Sequence, residues 1–475
     1  MAQEPVITNT SAPGQIEMAY GPNVWTLSDT EQTNPRYVLQ IWTWYNLSSP
    51  LPELKYDLRQ NSNPAGVAHF DVQRILQRMV QPQQDLSNAA LTWFDNQNNN
   101  TSEVPNEDYQ DFAYTVKWGY ENAAGVAVIQ GESEPKMVFA GRKPHYELQW
   151  NVSEFRPKFD PVNPTFGIID LAERARPLTE AWDAYPEITD AERAWPVKAM
   201  PVTPNQNLWL PMLIQGEDRY DPDNLVVKRT PYAIVTAYTA AMGQIFSLTV
   251  NPVFLDECDV ANENDNLLNH VMIPVLDVGI DQIVDFYPEA KYIYIDTGVD
   301  YQHTVLGSCI PAGGNKNAYG AWKLTIEAEC NDYEEVVLTW HNYWGFQDFF
   351  TFQKENTKQI QVDRQEYYQQ PGSWQASTLT LTQEQSGRRV FAQTAEEEWT
   401  LRTRWLTQGE ADWLRRLVES GWCAIYQGHS RAGYIPCTVV TSRWTQRNER
   451  RQKLFQFEIQ IRLSNNYQLL KGWYN

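Results

Sequence analysis

Short runs in which apolar and polar residues alternate fill most of this chain, and a period of two predicts strands. Positions 318–364 carry the clearest runs. Trp322, Leu324, Ile326 and Ala328 alternate with Lys323, Thr325, Glu327 and Glu329, which predicts a strand with one face on a core. Asn331-Asp332 supplies a turn. Val336-Val337-Leu338 begins a second, mostly buried run that ends at Trp340. A second turn follows at 341–345, where Gly345 is free to take a positive φ. The third run, 346–352, is rich in Phe. Together they predict an aromatic antiparallel meander.

The same pattern divides the rest of the chain. Residues 1–20 read as an extended N-terminal arm, and 21–150 as a β-sandwich domain with one short helix. Within it, 36–45 is apolar on both faces, as a strand inside a sandwich should be. Asp71 is placed to cap a helix over 72–80. From 151 to 210, prolines punctuate the chain while aromatics persist, so this reads as a structured extended segment lying on its own domain or on a neighbouring subunit. A second β-sandwich domain is expected over 211–370 and a small α+β domain over 373–475. In the latter, Thr407-Gln408-Gly409-Glu410 has the form of a capping box, with Gly421 as the helix stop. The expected fold class is mainly β: a multi-domain β-sandwich architecture with a C-terminal α+β domain and a proline-rich extended segment.

Composition narrows the function. With 42% apolar and 20% charged residues the chain is globular. Its formal net charge of −21 repels phosphate backbones, so no nucleic acid is expected as a partner. Arginines concentrate after 388, among them Arg443, Arg447, Arg450 and Arg451. Either they meet the acidic face of another copy or both faces are solvated surfaces. Nineteen Trp and 25 Tyr point to extensive contacts, since both residues join a large apolar face to a polar tip. The candidate interaction residues are therefore Trp182, Tyr185, Trp195 and Trp209 of the proline-rich segment and Trp344, Phe346 and Phe349 of the meander, with those four arginines. Five cysteines without a CxxC read as reduced thiols, although Cys309 with Cys330 or Cys423 with Cys437 could pair. No signal peptide and no apolar run of about 18 residues is seen, so membrane insertion is not expected.

Two segments carry a resemblance. Cys330, Tyr333, the Val-Leu-Thr-Trp strand, His341-Asn342 and Trp344-Gly345-Phe346-Gln347-Asp348-Phe349-Phe350-Thr351-Phe352 resemble a recurring segment of tail and tail-tip proteins of tailed bacteriophages. There it runs W-x-N-x-x-G-G-x-D-x-F-x-F. This chain has Phe346 in place of the second Gly and His341 before the Asn. Ala65-Gly66-Val67-Ala68-His69-Phe70-Asp71-Val72 is similar to a second such segment, and the C-terminal unit looks like modules of the same proteins. The resemblance implies a non-enzymatic virion structural protein of the tail, tail tip, baseplate or collar. It also implies contacts with copies of itself and with other tail or neck proteins, commonly in rings closed head to tail.

Catalytic signals are sparse. Ile293-Tyr294-Ile295-Asp296-Thr297-Gly298 resembles the strand and loop of aspartic proteases, which need two carboxylates sharing a proton. No second copy of the motif occurs, so that reading requires a homodimer. The six histidines are scattered without ligand spacing, and no GxSxG, GxGxxG or Walker A loop is present, so no cofactor or metal is expected. Acidic groups at 218–223 and 259–265 lack the Gly and terminal Glu of an EF-hand and read as solvated loops. No carboxylate pair stands out for glycoside hydrolysis. A host-glycan-binding adhesin, using the Trp and Tyr surface, is the alternative from another class.

Overall fold

The computed structural model describes residues 4–14, 16–31, 33, 35–43, 53–80, 91–92, 111–134, 136–142, 177–191, 196–212, 217–220, 225–250, 275–305, 308–315, 320–327, 333–369, 373–375, 378–380, 387–428, 434–441, 454–464 and 467–468. The chain is mainly β, with several sheets in a multi-domain arrangement. It forms two compact units. One contains Met1–Glu327 together with His341–Asp348, and the other Ala328–Trp340 together with Phe349–Asn475.

The first unit opens with a sandwich. Ile7–Ser11, Val24–Asp29 and Val67–Asp71 form one sheet. Ile16–Met18, Lys136–Phe139, Asp111–Glu121, Arg36–Thr43 and Glu53–Asn61 follow one another in the other sheet, with Ala127–Glu132 added to Asp111–Glu121. Trp25, Leu27 and Phe70 from the first sheet share one core with Tyr37, Leu39, Ile41, Tyr114 and Val116 from the second. The expectation for the 36–43 strand holds for a geometric reason: Tyr37, Leu39 and Ile41 fill this core, while Val38 and Gln40 are buried on the opposite face.

Within the expected N-terminal arm, the described strands Ile7–Ser11 and Ile16–Met18 are built into the sandwich. Ile7–Ser11 pairs antiparallel with Val24–Asp29, and Ile16–Met18 runs parallel to Lys136–Phe139. Met18 and Ala19 are fully buried. Pro13 and Gly14 break the alternation between the two strands, so neither was visible as a pattern. The helix Gln73–Met79 begins one residue later than its cap would suggest. Val72 is the half-helical residue, and Asp71 Oδ1 reaches past it to accept from Gln73 N at 3.0 Å.

Residues of the proline-rich segment that lie within the described part belong to the first unit. Glu187–Ile188 and Val197–Val202 join its second large sheet, while Trp209–Pro211 pairs with Val275–Asp277 in a separate three-stranded sheet. Val197–Val202 lies parallel to Ala321–Ile326 in the order Glu187–Ile188, Val197–Val202, Ala321–Ile326, Tyr292–Val305, Leu225–Tyr238, Glu217–Tyr220. Pro201 is tolerated there because, among the described residues, Glu187–Ile188 pairs only with Lys198 and Val197, leaving Pro201 at an edge on that side.

The second unit has a sheet ordered Gln347–Phe352, Val336–His341, Cys423–Tyr426, Tyr434–Val439, Glu458–Leu463, Gly387–Arg402, Thr357–Gln369. The expected boundary near 370 is therefore displaced. Val336–His341 pairs with Cys423–Tyr426, and Thr357–Gln369 pairs with Gly387–Arg402, so strands assigned to a second sandwich are ladder partners of the C-terminal module. Sequence neighbours do not reveal such pairings between distant segments.

Helix Gln408–Glu419 packs on this sheet through Ala411, Trp413, Leu414 and Leu417. Trp413 sits 5.6 Å from the Trp340 ring and 5.8 Å from that of Phe350. The capping box is present as read. Thr407 N donates to Glu410 Oε2 at 2.8 Å and Glu410 N donates to Thr407 Oγ1 at 3.3 Å. Glu410 is buried, and Arg404 Nη2 donates to its second oxygen at 2.7 Å. The stop differs from expectation: Ser420, in an extended conformation, ends the helix and Gly421 is not left-handed. Ser420 Oγ donates to Trp422 O at 2.7 Å instead, so a side chain turns the chain away.

Replacing Thr407 with Ala should cost about 1 kcal/mol in equilibrium urea unfolding, the usual worth of a lost cap. The unfolding slope should not change.

Candidate functional site

The turn that joins Val336–His341 to Gln347–Phe352 is counted in the first unit, while most of the two strands leading to it belongs to the second. Its conformation follows from three residue types. Asn342 Oδ1 accepts from Trp344 N at 2.9 Å and from Phe346 N at 3.2 Å, closing the turn on itself. Its Nδ2 donates outward to Leu178 O at 3.1 Å and to Asp348 Oδ1 at 3.0 Å. Thr179 Oγ1 donates to the same Asp348 oxygen at 2.7 Å. Asp348 is thus a buried carboxylate supplied with donors from two segments.

Gly345 takes φ +80°, as its place in the turn requires, and a Cβ there would stand 1.6 Å from the Ala140 carbonyl oxygen. Arg142 N donates to Tyr343 O at 2.6 Å, and the Trp344 ring stacks on Phe139 with centroids 6.5 Å apart. Asn342, Gly345 and Asp348 are therefore the residues that build this turn. Phe346, at the position of the second Gly, is buried.

The other aromatic candidates are also core residues of their own unit. Trp182 meets Trp322 edge-on at 5.3 Å, with Lys198 Nζ 4.7 Å from its ring centroid. Gly320 makes room for it: a Cβ there would lie 2.2 Å from Trp182 Cη2. Tyr185 and Trp209 are buried, and Phe349 packs on Tyr426 at 5.3 Å. Trp182, Tyr185, Trp209, Trp344, Phe346 and Phe349 are thus buried by their own chain and do not form an exposed face. Their irregular spacing carries no period that would have told inside from outside. Trp195, Arg443, Arg447, Arg450 and Arg451 lie outside the described residues, as do the acidic groups at 221–223 and 259–265.

Asp296-Thr297-Gly298 does not form a loop. It lies within the strand Tyr292–Val305, with Asp296 opposite Ile234 on one side and Ala321 on the other. Thr297 Oγ1 donates to Gly320 O at 2.7 Å. The loop that would present a shared-proton carboxylate pair is absent at this position.

One polar cluster sits nearby. Lys323 Nζ is bonded to Asp190 Oδ2, and Tyr294 OH donates to the same oxygen at 3.1 Å. Burial works to lower the Lys323 pKa, but hydrogen bonds to Asp190 and Tyr294 outweigh it and hold it above the usual lysine value. Burial raises the Tyr294 phenol. At neutral pH the lysine is charged and the phenol is protonated, so the cluster is a structural tie and not an acid–base couple. Cys423 and Cys437 face each other across adjacent strands as free thiols, with sulfurs 3.4 Å apart. No cluster of three or more His, Cys, Asp or Glu that could hold a metal occurs among the described residues, and none of their helices is long and apolar enough to cross a membrane.

Among the described residues, six of the 17 large exposed apolar side chains gather on one feature that the sequence pattern did not predict. Thr357–Gln369 pairs with Gly387–Arg402 as a long ribbon. Glu458–Leu463 supports this ribbon only at 398–402 and Tyr467–Gln468 only at 394–395. Beyond those contacts, among the described residues, 364–369 and 387–393 are paired only with each other. Ile360 is 63% exposed, Tyr368 72% and Phe391 60%, with Val362, Tyr367 and Val390 also exposed. Alternation in 357–369 was the available signal, but its apolar residues are few and separated by Gln, Asp, Arg and Glu.

The chain matches no protein-family model and no curated protein. Among solved structures, trypsin-activated alpha-2-macroglobulin from Escherichia coli aligns at 6% identity and a TM-score of 0.16, over 83% of this chain and 22% of that one. The chain therefore spans under a quarter of that protein's length. A marsupial T cell receptor aligns at 8% identity and a TM-score of 0.16, over 84% of this chain and 96% of that one. Likeness at this level carries no argument about fold or function.

Asn342→Ala should destabilise the first unit by about 3 kcal/mol or more in urea titrations, because it strands the Trp344 and Phe346 N–H groups and one donor to Asp348. Gly345→Ala should be at least as damaging, since no neighbour can clear the Ala140 backbone. Lys323→Met should cost about 1–3 kcal/mol by leaving Asp190 short of its cation. That loss should be constant across neutral pH and vanish only above the ordinary lysine range, where wild-type Lys323 itself discharges.

Proposed function

We propose that this chain is a non-enzymatic structural protein of a tailed-phage virion, part of its tail, tail tip or collar, and that it acts through subunit–subunit contacts. The phage assignment rests on the segment whose Asn342, Gly345 and Asp348 build the buried turn. The single observation that carries the contact role is the exposed ribbon of Thr357–Gln369 and Gly387–Arg402. A two-stranded ribbon is marginal in water by itself. Clustered exposed apolar residues on such a ribbon mark an interaction surface. Its partners on this reading are other copies of the chain and neighbouring tail or neck proteins. Six of the seven aromatics nominated as interaction residues are buried within the chain, so an assembly component and a glycan-binding adhesin alike would have to use other residues.

Two measurements test the proposal: mass spectrometry of purified phage particles from the source host, and electron microscopy of the purified chain. The chain should be found at a fixed copy number per particle and should form defined assemblies. Absence from the particles, with binding to host glycans instead, would replace the proposal with the adhesin.

A further inference from the structure

Thr357–Gln369 ends the sheet path of the second unit. Among the described residues its only ladder partner is Gly387–Arg402, so its outer edge is an unpaired row of N–H and C=O groups. Exposed edges of this length are normally blunted by charge. This one carries Lys358, Asp363, Arg364 and Glu366, but the signs alternate.

A closed two-fold pairing of antiparallel edges sets one residue opposite its own copy and fixes every other pair. Centring on Asp363, Arg364 or Glu366 sets like charges face to face, which is destabilising. Centring on Gln361 sets Lys358 against Arg364. A centre at Val362 avoids repulsion but places Ile360 opposite Arg364 and leaves Tyr368 unpaired. Its one charge pair uses Lys358, already bound to Glu334 at 2.8 Å.

Centring on Gln365 differs from all of these. Gln365 meets its own copy, and Arg364 faces Glu366 of the second copy twice. Glu366 also makes an exposed contact at 3.7 Å with Arg388 of its own chain, longer than the 2.8 Å pair that holds Lys358. Val362 faces Tyr368 twice, Asp363 faces Tyr367, and Gln361 faces Gln369. Each residue from 361 to 369 finds a compatible partner, and Val362 and Tyr368 are among the exposed apolar side chains. Opposite charges and aromatic–β-branched pairs directly across strands are the contacts that stabilise a ladder.

We propose that two copies of this chain associate by antiparallel pairing of their Thr357–Gln369 edges, with the two-fold axis at Gln365, so that the two sheets become one. This deepens the reading of the ribbon as an assembly surface and rests on it. The Arg364–Glu366 pairs select the register, and burial of Val362 and Tyr368 adds apolar contact.

The test is sedimentation velocity of the full chain with charge-reversed variants. Glu366→Arg and Arg364→Glu should each weaken dimerisation by about tenfold or more, because two symmetric attractions become repulsions. The double variant Arg364→Glu/Glu366→Arg should restore it. Both side chains are exposed, and circular dichroism should match wild type. Gln365→Cys should crosslink to its own copy under mild oxidation, read by peptide mapping of a non-reduced digest, whereas Asp363→Cys should not. A chain that stays monomeric at tens of micromolar, a dimer indifferent to both reversals, or a Gln365→Cys variant that does not crosslink would overturn the pairing. If the reversed variants still enter virions and assemble normally, the pairing fails while the structural-protein reading stands. If the register-specific dimer forms but the chain is missing from virions, the reverse holds.

Discussion

A carboxylate buried at a chain reversal must be given donors or it will not be buried, and Asp348 sets that condition for the turn around it. Thr179 and Asn342 both donate to one of its oxygens, and Asn342 also closes the turn through Trp344 and Phe346. None of these groups is replaceable singly, because each satisfies another buried polar group. Gly345 then lets the turn approach the Ala140 backbone, and Trp344 stacks on Phe139. The strands leading into the turn supply Trp340 and Phe350, which receive Trp413 of helix Gln408–Glu419. One short segment therefore contributes to the interior of each unit.

The distribution of aromatics has a consequence for function. Large rings are abundant, and those nominated as contact residues fill the interior wherever they are described. A chain with 28 prolines and many short strands gains packing density from rings that span irregular gaps. The outward apolar residues are fewer, and six of them share one ribbon, interleaved with charges of both signs. Such a surface can be solvated when alone and matched when paired, a combination suited to an assembly component.

The Asp-Thr-Gly motif singled out in the sequence is not presented on a loop. Asp296 lies inside a strand paired on both sides, and Asp190 is bonded to Lys323 and Tyr294, whose pKa values both lie above their usual range.

Local elements were legible in the residues alone. Alternation marked the strands Ala321–Ile326, Val336–His341 and Gln347–Phe352 one by one, though not the expected meander, since the first belongs to a different sheet from the other two. Two-sided apolarity marked the 36–43 strand, and Thr407 with Glu410 marked a helix start, because each signal acts between residues a few positions apart. Whatever depends on partners far along the chain was settled by folding. Ile7–Ser11 became a sandwich strand only through Val24–Asp29, Thr357–Gln369 joined the C-terminal sheet only through Gly387–Arg402, and Trp182 became buried only because Gly320 leaves it space. Burial is a property of the assembled neighbourhood. A ring in a proline-rich stretch has no period to declare its side, whereas a capping hydroxyl three residues from its carboxylate needs nothing else.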